Sequence, residues 1–295
     1  MNNNLAPIVL FVYNRLLHTQ QTIEALQKNK LAENSELFIY SDAPKNDDAQ
    51  QSVNEVRKYI SNLDGFKKIT IIHREKNWGL ADSIIDGVTQ IVNKYGKIIV
   101  LEDDLVTSPY FLKFMNEALE FYKDEKKVWH ISGWNYPVDN DSLEDVFLWR
   151  VMNCWGWATW SDRWQYFEKD IDKTMHDFSK DDIKQFNVDG VENFWSQVVF
   201  NKEKKINTWA IFWYATIFKK DGLCLNPVQT FVDNVGLDGS GIHCGGTKNY
   251  TDILNYKKNI DFKIEILESK DFLEKIKKLF KRNFFDKIKR LIKWK

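Results

Sequence analysis

Three consecutive carboxylates, Glu102-Asp103-Asp104, directly follow Ile98-Ile99-Val100-Leu101. Four apolar, mostly β-branched residues predict a buried strand, so the carboxylates fall at its carboxyl end. Such a cluster is costly to desolvate unless a cation sits in it, and a hard divalent metal with oxygen ligands meets that need. The same residues would also serve as a solvated acidic turn, with Asp103 or Asp104 capping the next helix. The triplet alone leaves both readings open.

The elements that must position this cluster are legible around it. Short apolar runs at Pro7–Val12, Leu37–Tyr40, Ile69–Ile72 and Ile98–Leu101 alternate with amphipathic stretches at His18–Gln27, Asp47–Ile60, Gly79–Val92 and Pro109–Tyr122. That alternation predicts βαβ units and a mainly parallel sheet flanked by helices, an α/β, Rossmann-like architecture. Ligands of such sheets bind at the carboxyl ends of strands, where Asn14-Arg15, Ser41-Asp42 and the triplet all fall. Arg15 suits a phosphate, and Asp42 suits a base or ribose. The glycine-rich dinucleotide fingerprint and the P-loop are both absent after the first strand. A bound nucleotide is therefore held through a metal and a few side chains.

Beyond Trp134-Asn135 the chain changes character. Eight of the twelve tryptophans lie between Trp149 and Trp213. Tryptophan stacks on sugar rings and also fills cores, and density does not separate the two uses. In Cys154-Trp155-Gly156-Trp157 the glycine permits close backbone approach between two large rings, as in a substrate-binding wall to which Trp134 also contributes. A glycine-rich segment, Asp233–His243, reads as a functional loop, with His243 either a late metal ligand or a solvent-exposed side chain.

Forty-two basic residues balance forty-two acidic ones, but from Lys270 to Lys295 eleven basic residues face three acidic ones. Apolar residues at Phe272, Leu273, Ile276, Leu279, Phe280, Phe284, Ile288, Leu291 and Ile292 follow helical spacing with lysines opposite. A basic amphipathic helix of this kind fits an anionic membrane surface, the alternative being a terminal helix docked on the body. No nucleic-acid partner is indicated. Three widely spaced cysteines form neither a disulfide framework nor a zinc site, and a cytoplasmic protein, peripheral on the inner face of the plasma membrane, is expected. The expected organisation is a donor-binding half over 1–135, an acceptor-side half of the same catalytic domain over 136–268, and the helix over 269–295.

These stretches resemble a known family. The runs Pro7 to Arg15, Ser41-Asp42, Arg74-Glu75-Lys76-Asn77-Trp78-Gly79-Leu80, Ile99 to Asn135 and Trp155-Gly156-Trp157 are similar to glycosyltransferases of GT-A fold, those related to N-acetylglucosaminyltransferase I and the bacterial family 2 enzymes. The resemblance implies a metal-dependent hexosyl- or N-acetylhexosaminyltransferase that takes its sugar from a nucleoside-diphosphate sugar, UDP-linked, with Mn²⁺ or Mg²⁺. The acceptor would be a hydroxyl of a glycan, including a lipid-linked one of cell-surface polysaccharide, and the outcome inverting. Arg15 would contact the diphosphate and Asp42 the base, with Arg74 and Asn77 beside the donor; Asp104 would bind the metal, and Glu102 and Asp103 the sugar or ribose.

An inverting enzyme needs a carboxylate base, and the family's Trp-Asp motif corresponds here to Trp209-Ala210. Alanine does no acid–base work. Asp238, Asp162 and Glu192 are the substitutes, Asp238 first because its glycine-rich loop could fold over the site. Two other functions remain in play: a sugar-1-phosphate nucleotidyltransferase, which would want a basic glycine-rich loop after the first strand, and a non-catalytic glycan-binding homologue, which Ala210 favours.

Overall fold

The computed structural model describes residues 4–138, 144–238 and 253–293, with side chains as far as Lys281. The chain begins with β1 (Ile8–Val12), α1 (Leu16–Gln27), β2 (Glu36–Ser41), α2 (Gln50–Ile60), β3 (Lys68–His73), α3 (Leu80–Tyr95) and β4 (Lys97–Glu102). It continues through β5 (Leu105–Thr107), α4 (Phe111–Phe121), β6 (Val128–Ser132), β7 (Val146–Trp149) and β8 (Trp157–Trp160). Short helices α5 (Ser161–Trp164), α6 (Ile171–Asp177), α7 (Lys180–Phe186) and α8 (Trp195–Lys202) lead to α9 (Ala210–Lys219). Then come β9 (Leu223–Pro227), β10 (Val232–Asn234) and α10 (Lys270–Lys293).

Eight strands form one sheet in the order β3-β2-β1-β4-β8-β6-β9-β7, while β5 and β10 pair as a separate antiparallel ribbon. The pairs β2–β3, β1–β2 and β1–β4 are parallel, as the βαβ alternation predicts. From β8 onward the sheet is mixed, because β8 and β7 run antiparallel to their neighbours. Every residue of β1 is buried, and this continuous apolar run packs on both faces, as expected of a central parallel strand. The sheet takes strands from both sides of residue 135.

Register fixes the site. Phe11 lies opposite Tyr40 and Glu102, and Val12 opposite Ser41, so the carboxyl ends of β1, β2 and β4 come level. The ends of α3 follow from glycines: Gly79 precedes it at φ 73°, and Gly96 closes it in the left-handed region at φ 80°. The helix expected from Asp47 starts with a 3-10 turn over Asp47–Ala49, where the Asn46 side chain accepts from Ala49 N, and becomes α-helical at Gln50.

Most of the tryptophan-rich region is core. Trp149, Trp157 and Trp213 are fully buried, and Trp157 stacks on Trp209 with centroids 5.1 Å apart. The first turns of α10 also belong to the body. Phe272 stacks on Phe147 at 4.1 Å, Phe280 meets Tyr136 edge-on at 5.0 Å, and Leu273 and Ile276 are buried with them. Lys277 bridges to Asp189 at 2.6 Å. The docked reading therefore holds for this half of the helix, whose apolar side chains are enclosed by protein. Among the described residues, no helix is long and apolar enough to cross a membrane.

Candidate functional site

A cavity of about 310 Å³ opens at the level carboxyl ends of β1, β2 and β4, within the size range of small-molecule sites. It is lined by Tyr13, Asn14 and Arg15 after β1, Asp42 and Lys45 after β2, Asn77, Gly79 and Leu80 before α3, and Glu102, Asp103 and Asp104 after β4. Three clusters distant in sequence thus share one wall. Arg15 is the residue before α1 and Gly79 the residue before α3, so two helix N-termini also face this space, an arrangement that favours anions.

The triplet is neither a solvated turn nor a helix cap. Asp103 and Asp104 are buried, and the Arg15 guanidinium pairs with both, at 2.8 Å from Asp104 Oδ2 through the same Nη2 that bonds Asp103. Burial alone would lower the Arg15 pKa, but the adjacent Asp103 and Asp104 raise it. Burial pushes the Asp103 carboxyl up to about 6 against the pull of Arg15. It pushes Glu102 further, to about 8, with repulsion from Asp104 and Asp103 adding to the effect. Two buried carboxylates therefore share one guanidinium with Glu102 beside them, and the cluster remains short of positive charge.

A divalent cation fits that deficit. The donors are hard carboxylate oxygens, and Gly236 passes so close that a Cβ there would lie 2.2 Å from Asp104 Oδ2 and 2.9 Å from Arg15 Nη1. Val235 N donates to the Asp104 carbonyl at 2.9 Å, which ties the segment after β10 to the cluster. Among the described residues no group of three His, Cys, Asp or Glu side chains is ready-made for a metal, and Arg15 holds two of the carboxylates. His243 lies outside the described residues.

The remaining expected residues separate clearly. Asp42 accepts from Ala43 N at 2.9 Å, Trp78 N at 2.9 Å, Gly79 N at 2.8 Å and Asn77 Nδ2 at 3.1 Å. Its carboxylate thus anchors the Asn77–Gly79 turn. Arg74 is nearly buried, bonded to Asp86 at 2.5 Å and stacked against Trp78 and Tyr40, and it does not line the cavity.

Asp238 lies 3.1 Å from Nε2 of His18, which is in the first turn of α1, and does not itself line the cavity. Asp162 does not come to the cavity. It follows Trp160, which pairs with Lys97 at the opposite end of β4 from Glu102, and it is bound by Lys126 and Arg163. Glu192 is exposed in the turn before α8, with its carboxylate on Asn193 N.

The expected wall of Trp134, Trp155, Gly156 and Trp157 does not line this cavity either. Trp157 is enclosed by His130 and Trp209, and Trp134 packs edge-on against Trp155 at 4.5 Å. Gly156, at φ 63°, does allow a close approach, but of protein: its carbonyl accepts from Gly133 N at 2.6 Å, and a Cβ would fall 2.9 Å from Val232.

Asn207, just before Trp209-Ala210, does line the cavity, as do Tyr13, Lys45 and Ser83. No local pattern announces Asn207, which arrives from far along the chain; Tyr13 was within reach as the residue next to Asn14-Arg15.

The mixed sheet with a carboxylate-rich pole at its parallel strand ends is the GT-A arrangement that the sequence resemblance implies. Comparison with curated proteins finds no match. Among solved structures, the mannosyltransferase PcManGT from Pyrobaculum calidifontis, in complex with GDP-Man and Mn2+, is similar at 10% identity over 74% of this chain and 70% of that one, TM-score 0.40. S. aureus TarS is similar at 15% identity over 48% of this chain and 24% of that one, TM-score 0.33. Both superpositions are loose, and the family follows instead from the sequence. Residues 8–191, well over half of the chain, match the model described as glycosyl transferase family 2, and the chain belongs to that family of glycosyltransferases.

Proposed function

We propose that the chain transfers a sugar from a nucleoside-diphosphate sugar to a glycan hydroxyl, with the donor diphosphate beside Arg15 and Asp104. The observation that carries this reading is the cavity in which one guanidinium is shared by buried carboxylates. A diphosphate entering it adds negative charge to a cluster already short of cations. Asp104, with Asp103 beside it, would hold a divalent ion, Mn²⁺ or Mg²⁺, which supplies Lewis-acid neutralisation of the leaving diphosphate. Arg15 and the N-termini of α1 and α3 orient that anion.

Cleavage of the sugar C1–O bond passes through an oxocarbenium-like state, as in glycoside hydrolysis, and its charge is stabilised by nearby carboxylates. Glu102 and Asp103 both line the cavity, and Asp103, whose carboxyl is raised less, is the one that would carry the charge. Asp238, which contacts His18 in the first turn of α1, is the base candidate carried forward ahead of Asp162 and Glu192. It would take the acceptor proton for an inverting transfer. The basic end of α10 supports a lipid-linked acceptor at an anionic membrane, on the inner face of the plasma membrane.

The test is donor hydrolysis across a panel of nucleotide sugars. Release of nucleoside diphosphate and free sugar from one of them is expected. Silence with every donor, with the folded state intact, would sink the transferase reading in favour of a glycan-binding homologue.

A further inference from the structure

Arg15 stands where a cation between the two aspartates would stand. A single nitrogen, Nη2, reaches both Asp103 Oδ1 and, at 2.8 Å, Asp104 Oδ2. A divalent ion bridging those two oxygens needs the same place, and two cations do not share it. The guanidinium is also poorly used there, because among the described residues its Nε and Nη1 make no hydrogen bond. A phosphate engages two parallel N–H groups of an arginine at once, so a diphosphate in the cavity is the better partner. The backbone on both sides is pinned. The Arg15 carbonyl accepts from Thr19 N at 3.0 Å and from Thr19 Oγ1 at 2.8 Å, the Asp103 carbonyl from Thr22 Oγ1 at 2.9 Å, and the Asp104 carbonyl from Val235 N at 2.9 Å. What is left to move is the Arg15 side chain, which lines the cavity.

We propose that Arg15 is a built-in counter-ion that bars the bare metal: a divalent cation enters between Asp103 and Asp104 only as the guanidinium leaves them for the diphosphate. Without nucleotide the ion must displace a charge-assisted pair and leave the guanidinium with no anion to receive it. With the diphosphate present, the same displacement gives Arg15 its better partner. Arg15 thus couples the two ligands, and by reciprocity each tightens the other by the same factor. The inference rests on the donor-site reading and adds a rule of loading to it, namely that metal and diphosphate go in together.

The experiment follows Mn²⁺ by the loss of its free-ion paramagnetic resonance signal on adding the full-length protein, Arg15→Gln or Lys45→Gln, without nucleotide. Lys45 lines the same cavity and is paired with neither aspartate, so its substitution measures the effect of lost charge alone. The unaltered protein should hold Mn²⁺ no more tightly than about 1 mM. Arg15→Gln should bind it at least about tenfold more tightly than the unaltered protein does, and Lys45→Gln within about threefold. In calorimetric titration of UDP, the factor by which Mn²⁺ tightens binding should fall in Arg15→Gln by as much as its bare Mn²⁺ affinity rises.

An Arg15→Gln protein that gains no more Mn²⁺ affinity than Lys45→Gln would overturn the exchange. So would a bare Mn²⁺ site tighter than about 1 mM in the unaltered protein, a result that needs no substitution and decides even if Arg15→Gln fails to fold. UDP binding to the unaltered protein with Mn²⁺ present would in either case leave the donor site standing; no binding there would remove the donor site itself.

Discussion

At the level of single side chains, Glu102 is held where its charged form is disfavoured. Burial and the repulsion of Asp104 and Asp103 push its carboxyl up to about 8, from an ordinary value of 4.5. The folded state therefore retains a proton that the unfolded chain has lost, and stability falls as pH rises from about 4.5 to about 8. Glu102→Gln removes this penalty. It should flatten the pH dependence in urea unfolding and add roughly 1–2 kcal/mol at pH 8, less than the shift alone implies because the cavity admits water. A pH profile unchanged by the substitution would count against the charge deficit. The triplet was legible in the sequence because three carboxylates after a β-branched run have few bland explanations. The contact of Arg15 with two of them was not, since a lone arginine after a strand is equally a surface residue. Asp42 shows the same limit: its residue type suited a base, whereas its hydrogen bonds go to the turn before α3.

Among the elements, β1 to β4 and the helices between them followed from hydrophobic periodicity, because parallel strands buried on both faces leave an unmistakable apolar run. Aromatic segments were harder. Trp157 and Trp209 read equally as sugar platform or core, and only their stacking 5.1 Å apart assigns them to the core. In α10 the same periodicity serves two surroundings along one helix. Phe272, Leu273, Ile276 and Phe280 are enclosed by the body, which leaves the stretch from Arg282 onward as the part proposed to meet a membrane. Deleting residues 282–295 should abolish sedimentation with anionic vesicles and shift the melting temperature by no more than about 3 °C. Undiminished vesicle binding would assign the partner surface elsewhere.

For the whole molecule, one mixed sheet brings residues from both halves of the chain to a single pole. Arg15, Asp42 and Asp104 come from parallel strand ends, Asn207 from the approach to α9, and Val235 and Gly236 from beyond β10. The first group could be placed from strand order alone. The second depends on tertiary return of the chain, which no local pattern encodes, and it includes the neighbourhood where Ala210 stands in place of the expected carboxylate. The account as a whole requires that a nucleoside diphosphate and a divalent cation bind together at Asp104. The direct measurement is calorimetric titration of a nucleoside diphosphate into the protein and into Asp104→Ala, each with and without Mn²⁺. Mn²⁺ should tighten binding by about tenfold or more in the unaltered protein and leave Asp104→Ala unchanged. Equal affinity in all four titrations would contradict it.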